Sequence, residues 1–124
     1  MKHVIVIGGG AAGLMAAYAA AKSGNSVVLL EKNEKLGKKL YITGKGRCNL
    51  TNDCPPDEFL AHVVRGGKFL TRAAYRFSAA ETMAFFEAHG LSLKVERGNR
   101  VFPVSDHASD VTKALDRACR EAGV

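Results

Sequence analysis

Three glycines at fixed spacing, Gly8-x-Gly10-x-x-Gly13, are the first residues able to do chemistry in this chain. Such a pattern permits a tight turn at Gly8 and close approach of the backbone to a pyrophosphate at Gly10. It also permits close helix–strand packing at Gly13, with Ala17 keeping the next helical turn small. Phosphates at such a turn sit on free N–H groups at a helix N-terminus, where the dipole favours negative charge. Glu31 lies downstream at the end of the next apolar run. Its carboxylate is placed to accept hydrogen bonds from adenosine ribose hydroxyls and would repel a 2′-phosphate. On this motif alone FAD and NAD remain open, and NADP is disfavoured.

The second candidate is Thr43-Gly44-Lys45-Gly46-Arg47-Cys48-Asn49-Leu50-Thr51-Asn52. Its glycines expose backbone N–H groups, and Arg47 can grip a phosphate bidentately. Asn49 can donate to and accept from a polar ring or a sugar. From spacing alone the segment reads equally well as a basic solvated loop with Cys48 buried. Between Lys32 and Arg47 stand Lys32, Lys35, Lys38, Lys39, Lys45 and Arg47 against the single acid Glu34. The basic excess therefore sits just after the nucleotide motif.

These residues need elements to position them. His3 to Ile7 is β-branched and apolar on both faces, which predicts a strand buried on both sides of a parallel sheet. Ala11 to Lys22 is alanine-rich and predicts a helix, with Gly24 as its C′ residue. Ser26 to Leu30 predicts a second buried strand, completing a right-handed βαβ unit. Lys32 to Pro56 lacks a period and reads as a long loop with a short helical turn around Leu36 to Tyr41. Asp57 to Phe77 reads as two helical pieces split by Gly66-Gly67. Ser78-Ala79-Ala80-Glu81 has capping-box spacing for a helix ending near His89. Leu91 to Glu96 and Arg100 to Val104 predict strands around a Gly98-Asn99 turn. Ser105 or Asp106 is the expected cap of a last helix with Ala108, Val111, Leu115 and Cys119 on one face. The fold class is thus α/β: a Rossmann-type βαβ unit followed by helices and a short β-hairpin, an incomplete domain.

The chain has 124 residues, 47% hydrophobic and 24% charged, with a formal net charge of +6. That suits one modest globular domain and argues against disorder. No signal peptide opens it and no apolar run reaches membrane-spanning length, so a cytoplasmic protein is expected. Cys48, Cys54 and Cys119 make neither a disulfide framework nor a zinc pattern. His3, His62, His89 and His107 are scattered without metal-ligand spacing. Phe85 and Phe86 read as core or interface residues, and Lys94, Arg97 and Arg100 as a solvated face flanking the hairpin. No catalytic acid or base can be named.

The segments GGGAAGLMAA and LLEKNEKLGKKLYITGKGRCNLTN resemble the BaiN/YhiN-like bacterial flavoprotein family, as do GKFLTRAAYRFSAAETMAFFEAHG and LKVERGNRVFPVSDHASDVTKAL. The likeness covers essentially the whole chain, and GRCNLTN is its most distinctive part. It implies an FAD-dependent oxidoreductase with a glutathione-reductase-like Rossmann fold. It implies that Gly8, Gly10, Ala12, Gly13 and Glu31 bind the ADP half of FAD. It implies further that Lys32, Lys39, Thr43, Gly44, Arg47, Cys48 and Asn49 lie along the pyrophosphate and flavin side. Members of the family are much longer and carry an inserted second domain. The expected organisation is therefore an N-terminal part of an FAD-binding domain over 1–124: a βαβ core at 1–31, a cofactor-contacting loop at 32–56, and helices and a hairpin at 57–124. Alone it is expected to be inactive. Implied with it are a small-molecule substrate, NAD(P)H as a candidate electron donor, and neither a membrane nor a nucleic-acid partner. An NAD-binding Rossmann protein or an RNA-associated flavoprotein is the alternative. The first leaves GRCNLTN unexplained; against the second, the basic loop has few interleaved aromatic residues.

Overall fold

The computed structural model describes residues Met1–Val124. Strand β1 (His3–Ile7) leads through the glycine turn into α1 (Ala11–Lys22), and β2 (Ser26–Leu30) returns parallel to β1. The register runs from His3 opposite Ser26 to Ile7 opposite Leu30. Gly24, at φ +81°, ends α1 in the left-handed conformation that a side chain disfavours. The predicted βαβ unit is therefore present with its predicted boundaries.

One expectation fails. The apolar strands were expected to be covered on both faces, but α1 covers only one. Val27 is buried, whereas Ile7 is 85% exposed and Leu30 52% exposed, with Ile5 and Val28 beside them. Apolar composition reports what a face is suited to meet, and in residues 1–124 no layer meets this one.

The remainder builds a second, antiparallel sheet. Two 3-10 turns span Lys38–Gly46, joined by a kink at Thr43 to Lys45. Strand β3 (Thr51–Asn52) follows, then α2 (Pro56–Ala61), α3 (Gly67–Arg76) and α4 (Ala79–Ala88). Strands β4 (Leu93–Glu96) and β5 (Arg100–Pro103) form the hairpin, and α5 (Ala108–Glu121) closes the chain. The sheet order is β3-β5-β4, with Thr51 opposite Val101 and Asn52 opposite Arg100. The loop expected over 32–56 thus ends in a strand, too short for alternation to reveal.

The capping box of α4 forms as expected. Ser78 N–H donates to Glu81 Oε2 at 3.0 Å, and Glu81 N–H to Ser78 Oγ at 3.3 Å. The expected cap of α5 does not form. His107 occupies the N-cap position without a side-chain cap, and Ser105 Oγ accepts only from His107 N–H, at 3.2 Å. Asp106 is instead drawn to two cations, whose charge-assisted hydrogen bonds outcompete a cap.

The core lies where α1, α4 and α5 meet, around Leu14, Phe86, Leu91, Val111, Leu115 and Cys119. Each such large aliphatic or aromatic side chain contributes about 1.5–3 kcal/mol on burial. Cys119 Sγ donates to Leu14 O at 3.3 Å, fastening α5 to α1. Cys48 belongs to the same cluster, so the second motif is anchored in the core that supports the first.

Candidate dinucleotide site

Gly8 has φ +101°, and its N–H donates to Leu30 O at 2.8 Å, turning the chain at the end of the parallel pair. A Cβ on Gly13 would lie 1.8 Å from Gly8 O, a backbone atom that cannot step aside. A Cβ on Gly10 would meet nothing within 4 Å. One glycine therefore closes the helix onto the turn, and the other leaves space above it. Gly10 is the N-cap of α1 and provides no side-chain cap. The first-turn N–H groups have no acceptor within the helix, and Ala12, exposed in that turn, adds no bulk. Open space above uncapped N–H groups at a positive dipole end suits a pyrophosphate.

Glu31 is tied to this turn. Its Oε2 accepts from Gly9 N–H at 2.9 Å, while Oε1 accepts from Asn33 N–H at 3.2 Å and Asn33 Nδ2 at 2.9 Å. The Gly9 N–H first, and then that of Asn33, hold its carboxyl below the ordinary value. An ionised carboxylate offers about four acceptor positions; three are used, and one on Oε2 remains.

The chain after Glu31 folds back over the turn. Gly37 N–H donates to Gly9 O at 2.7 Å. A Cβ on Gly9 would come within 2.6 Å of Leu36 Cδ2, and one on Gly37 within 2.7 Å of Thr112 Cγ2. Gly9, Asn33, Leu36 and Gly37 are thus parts of the site that spacing did not single out. The run Gly8-Gly9-Gly10 and the Asn two residues after Glu31 were the only available hints. Lys32, Lys35 and Lys38 line an open groove of about 330 Å³ with Asn33 and Glu34, next to Glu31. Lys39 is exposed.

The second motif is built differently. Gly44, Lys45, Gly46 and Cys48 all have positive φ, at 54°, 56°, 86° and 59°. Two of these are non-glycine residues in a region that costs side chains energy, and their neighbours hold them there. Cys48 N–H donates to Thr43 O at 3.1 Å, Arg47 N–H to Gly44 O at 3.2 Å, and Thr43 Oγ1 to Leu40 O at 2.7 Å. A Cβ on Gly44 would lie 2.7 Å from Asn49 N. Cys48 is 2% exposed, and burial pushes its thiol up, against a smaller opposing hydrogen bond with Thr43. It is a protonated packing residue, not an activated thiolate. The Asn49 amide nitrogen faces two acceptors, Thr51 O at 3.0 Å and Val101 O at 3.2 Å, and ties the motif to β5.

Arg47 does not face the glycine turn. It pairs with Glu96 and, through Nε, with Asp106 Oδ1 at 2.8 Å. Its guanidinium lies 3.9 Å from the centre of the Phe102 ring. Lys94 Nζ completes the cluster, 2.8 Å from Asp106 Oδ2 and 3.2 Å from Glu96 Oε2. Lys94 was expected on a solvated face; two carboxylates within reach of its ammonium make it part of this network instead. Arg47 chiefly, with Lys94, holds Glu96 below the ordinary carboxylate value, and Lys94 chiefly, with Arg47, does so for Asp106.

The structure therefore gathers Gly8, Gly10, Ala12, Gly13 and Glu31 at one end of α1, with Lys32 adjoining. It gathers Thr43, Gly44, Arg47, Cys48 and Asn49 against the antiparallel sheet. No three His, Cys, Asp or Glu side chains form a metal-binding group, and no helix is long and apolar enough to cross a membrane.

Comparison with known proteins agrees with this architecture. A 3-dehydro-bile acid delta(4,6)-reductase of Clostridium scindens is 40% identical over 126 residues, covering 100% of this chain and 30% of its own length. Ribosomal RNA dihydrouridine synthases of Escherichia coli and Haemophilus influenzae are 29% and 28% identical, over 97% and 96% of this chain and 29% of theirs. The chain thus spans about 30% of the length of these relatives. Residues 2–124 match the model of the HI0933-like protein Rossmann domain, which bears out the resemblance carried by the glycine fingerprint and GRCNLTN. The chain belongs to the HI0933-like Rossmann domain family.

Proposed function

We propose that residues 1–124 are the N-terminal part of the FAD-binding domain of an oxidoreductase. The observation that carries this reading is the open, uncapped start of α1 above Gly10, with the ionised Glu31 fixed beside it by Gly9 N–H. The α1 N–H groups receive the pyrophosphate, and the remaining acceptor position of Glu31 takes a ribose hydroxyl. Lys32 and Lys39 add positive potential along the phosphate path. Thr43, Gly44 and Asn49 present a rigid wall on the flavin side, Cys48 anchors that wall in the core behind it, and Arg47 holds it to β4 and β5. Bound FAD supplies hydride or electron transfer, which no side chain here can provide.

The names of the relatives narrow the chemistry. One relative is named a delta(4,6)-reductase and two are named dihydrouridine synthases, and we read both names as reductions of a carbon–carbon double bond. We take the whole protein to reduce such a bond in a small-molecule substrate, with NAD(P)H as electron donor. The 40% identity to the bile-acid enzyme favours a small molecule over RNA at the reacting centre.

A visible absorption spectrum of the full-length protein, before and after adding FAD, tests this reading. Flavin bands that remain after gel filtration are expected. Their absence at saturating FAD rejects it, and retention of NAD instead would make the chain a nicotinamide-binding unit.

A further inference from the structure

We propose that Thr112 of α5 is a positioning residue, which sets the spacing between the glycine turn and the wall formed by Thr43, Gly44 and Asn49. This role rests on the reading of the turn as an FAD site. Thr112 is 4% exposed and is the one hydroxyl-bearing side chain among the buried residues.

Two atoms of this side chain meet two different parts of the site. Its Cγ2 methyl faces Gly37, where a Cβ would come within 2.7 Å of it. Gly37 N–H in turn donates to Gly9 O at 2.7 Å, and Gly9 N–H donates to Glu31 Oε2 at 2.9 Å. Gly9 and Gly37 are both buried, so only backbone stands between the Thr112 methyl and the turn. Because the peptide is planar and trans, holding the Gly9 carbonyl also fixes the opposed direction of Gly10 N–H. The Thr112 hydroxyl lies 2.9 Å from both Ser109 O and Tyr41 Oη. A hydroxyl has one proton and a carbonyl only accepts. Thr112 therefore donates to Ser109 O, and Tyr41 O–H donates to Thr112. The bond to a carbonyl three residues back holds the branched side chain in one rotamer. Tyr41 stands in the 3-10 turns that lead to Thr43, whose Oγ1 donates to Leu40 O at 2.7 Å.

Packing alone does not call for a threonine. Valine has nearly the same shape and would bury no hydroxyl in need of a partner. The hydroxyl instead ties the start of the second motif to the same side chain that backs the first. Movement of α5 therefore carries turn and wall together, and neither shifts without the other. FAD is long, with its ADP half on the turn and its flavin beside the wall, so its fit depends on their separation. Misplacement by about 1 Å is enough to cost a site much of its performance. Every contact in this relay joins buried or half-buried groups of this chain, so it does not depend on what covers the surface.

The test uses the full-length protein, with FAD as ligand and, after removal of the flavin, with ADP as a probe of the turn alone. Gly37→Ala drives its Cβ into Thr112 Cγ2 and should weaken ADP binding at least about tenfold. Thr112→Ser removes that methyl, so the Gly37→Ala/Thr112→Ser variant should bind ADP more tightly than Gly37→Ala does. Tyr41→Phe and Thr112→Val each cut the link to the wall. Each should weaken FAD about two- to tenfold, with a smaller loss for ADP and a shifted flavin absorption band. Both remove the same bond, so their combination should be no worse than either alone. Hydrogen exchange of the Gly37 amide reads the relay without any ligand, and Thr112→Ser should speed it several-fold. The proposal is overturned if Thr112→Ser does not rescue Gly37→Ala, if Tyr41→Phe weakens ADP as much as FAD, or if Thr112→Ser leaves Gly37 exchange unchanged. Thermal melts of every variant are read alongside. Should Gly37→Ala fail to fold, the exchange rate and the Tyr41→Phe split between FAD and ADP decide. If the wild type binds neither FAD nor ADP, the cofactor reading fails alone, and Gly37 exchange still decides whether Thr112 holds the turn.

Discussion

The two glycine-rich segments look alike as sequence and behave oppositely as structure. The turn at Gly8 to Gly13 ends in N–H groups with no acceptor and free space above Gly10. The segment Gly44 to Cys48 is closed: the N–H groups of Cys48 and Arg47 reach Thr43 O and Gly44 O, and the Arg47 side chain is held by Glu96 and Asp106. The first uses glycine to keep atoms out, the second to bend the chain back on itself. A ligand needs unpaired partners, so the open turn is where binding energy is available. The closed segment supplies shape.

The sharpest test of this contrast is Gly13→Ala. Its Cβ would be driven into Gly8 O, and neither backbone segment can yield without opening the βαβ unit. A loss of about 3 kcal/mol or more is expected, at or beyond the upper end for overpacking. Urea unfolding of the full-length protein measures it. A loss under about 1 kcal/mol would mean the turn is looser than it looks.

Gly10→Val comes next and separates binding from folding. The position has extended φ and open surroundings, so the fold should stand and its unfolding midpoint should scarcely move. The new side chain fills the space proposed for the pyrophosphate, and FAD affinity should drop at least about a hundredfold, which is about 2.7 kcal/mol of binding. Equilibrium titration followed by flavin fluorescence reads it. Unchanged affinity would move the phosphate away from this turn.

These two residues also show what a sequence can reveal. The demands on Gly8, Gly10 and Gly13 are set by the local path of strand, turn and helix, so spacing alone exposes them. The demands on Gly9 and Gly37 come from Leu36 and Thr112, whose arrival depends on how the loop and α5 pack. Arg47 reads as a phosphate grip because its carboxylate partners lie far along the chain, on β4 and before α5. The same distance hides the reason Asp106 does not cap α5. The α4 capping box is legible because both its partners lie within one helical turn.

A smaller effect is expected from pH at the closed segment. Glu96 and Asp106 are held below their ordinary values of 4.5 and 3.8 in the folded protein. Each therefore adds stability that is fully present above that value and is lost as pH falls through its lower folded value. Lys94 is raised above 10.5, so its contribution is complete below that pH and fades as pH rises through the higher folded value. Arg47→Ala should flatten the acid limb of a melting-temperature profile by weakening the hold on both carboxylates. An acid limb as steep as wild type would show that the cluster is not what carries it.

The smallest effect tests strain in the closed segment directly. Lys45 sits at φ +56° between two glycines that share its left-handed conformation. A side chain there costs about 1–2 kcal/mol. Replacing it with glycine removes that strain but frees the unfolded chain by about 0.4–1 kcal/mol. Lys45→Gly should therefore stabilise the protein slightly, by about 1 kcal/mol or less, seen as a small rise in the urea midpoint at unchanged slope. The two segments then respond with opposite sign to opposite changes: adding one carbon to the open turn at Gly13 disrupts it, while removing a side chain from the closed one relaxes it. A destabilised Lys45→Gly would mean that the lysine side chain makes a stabilising contact of its own, and that the segment's left-handed path is held for more than shape.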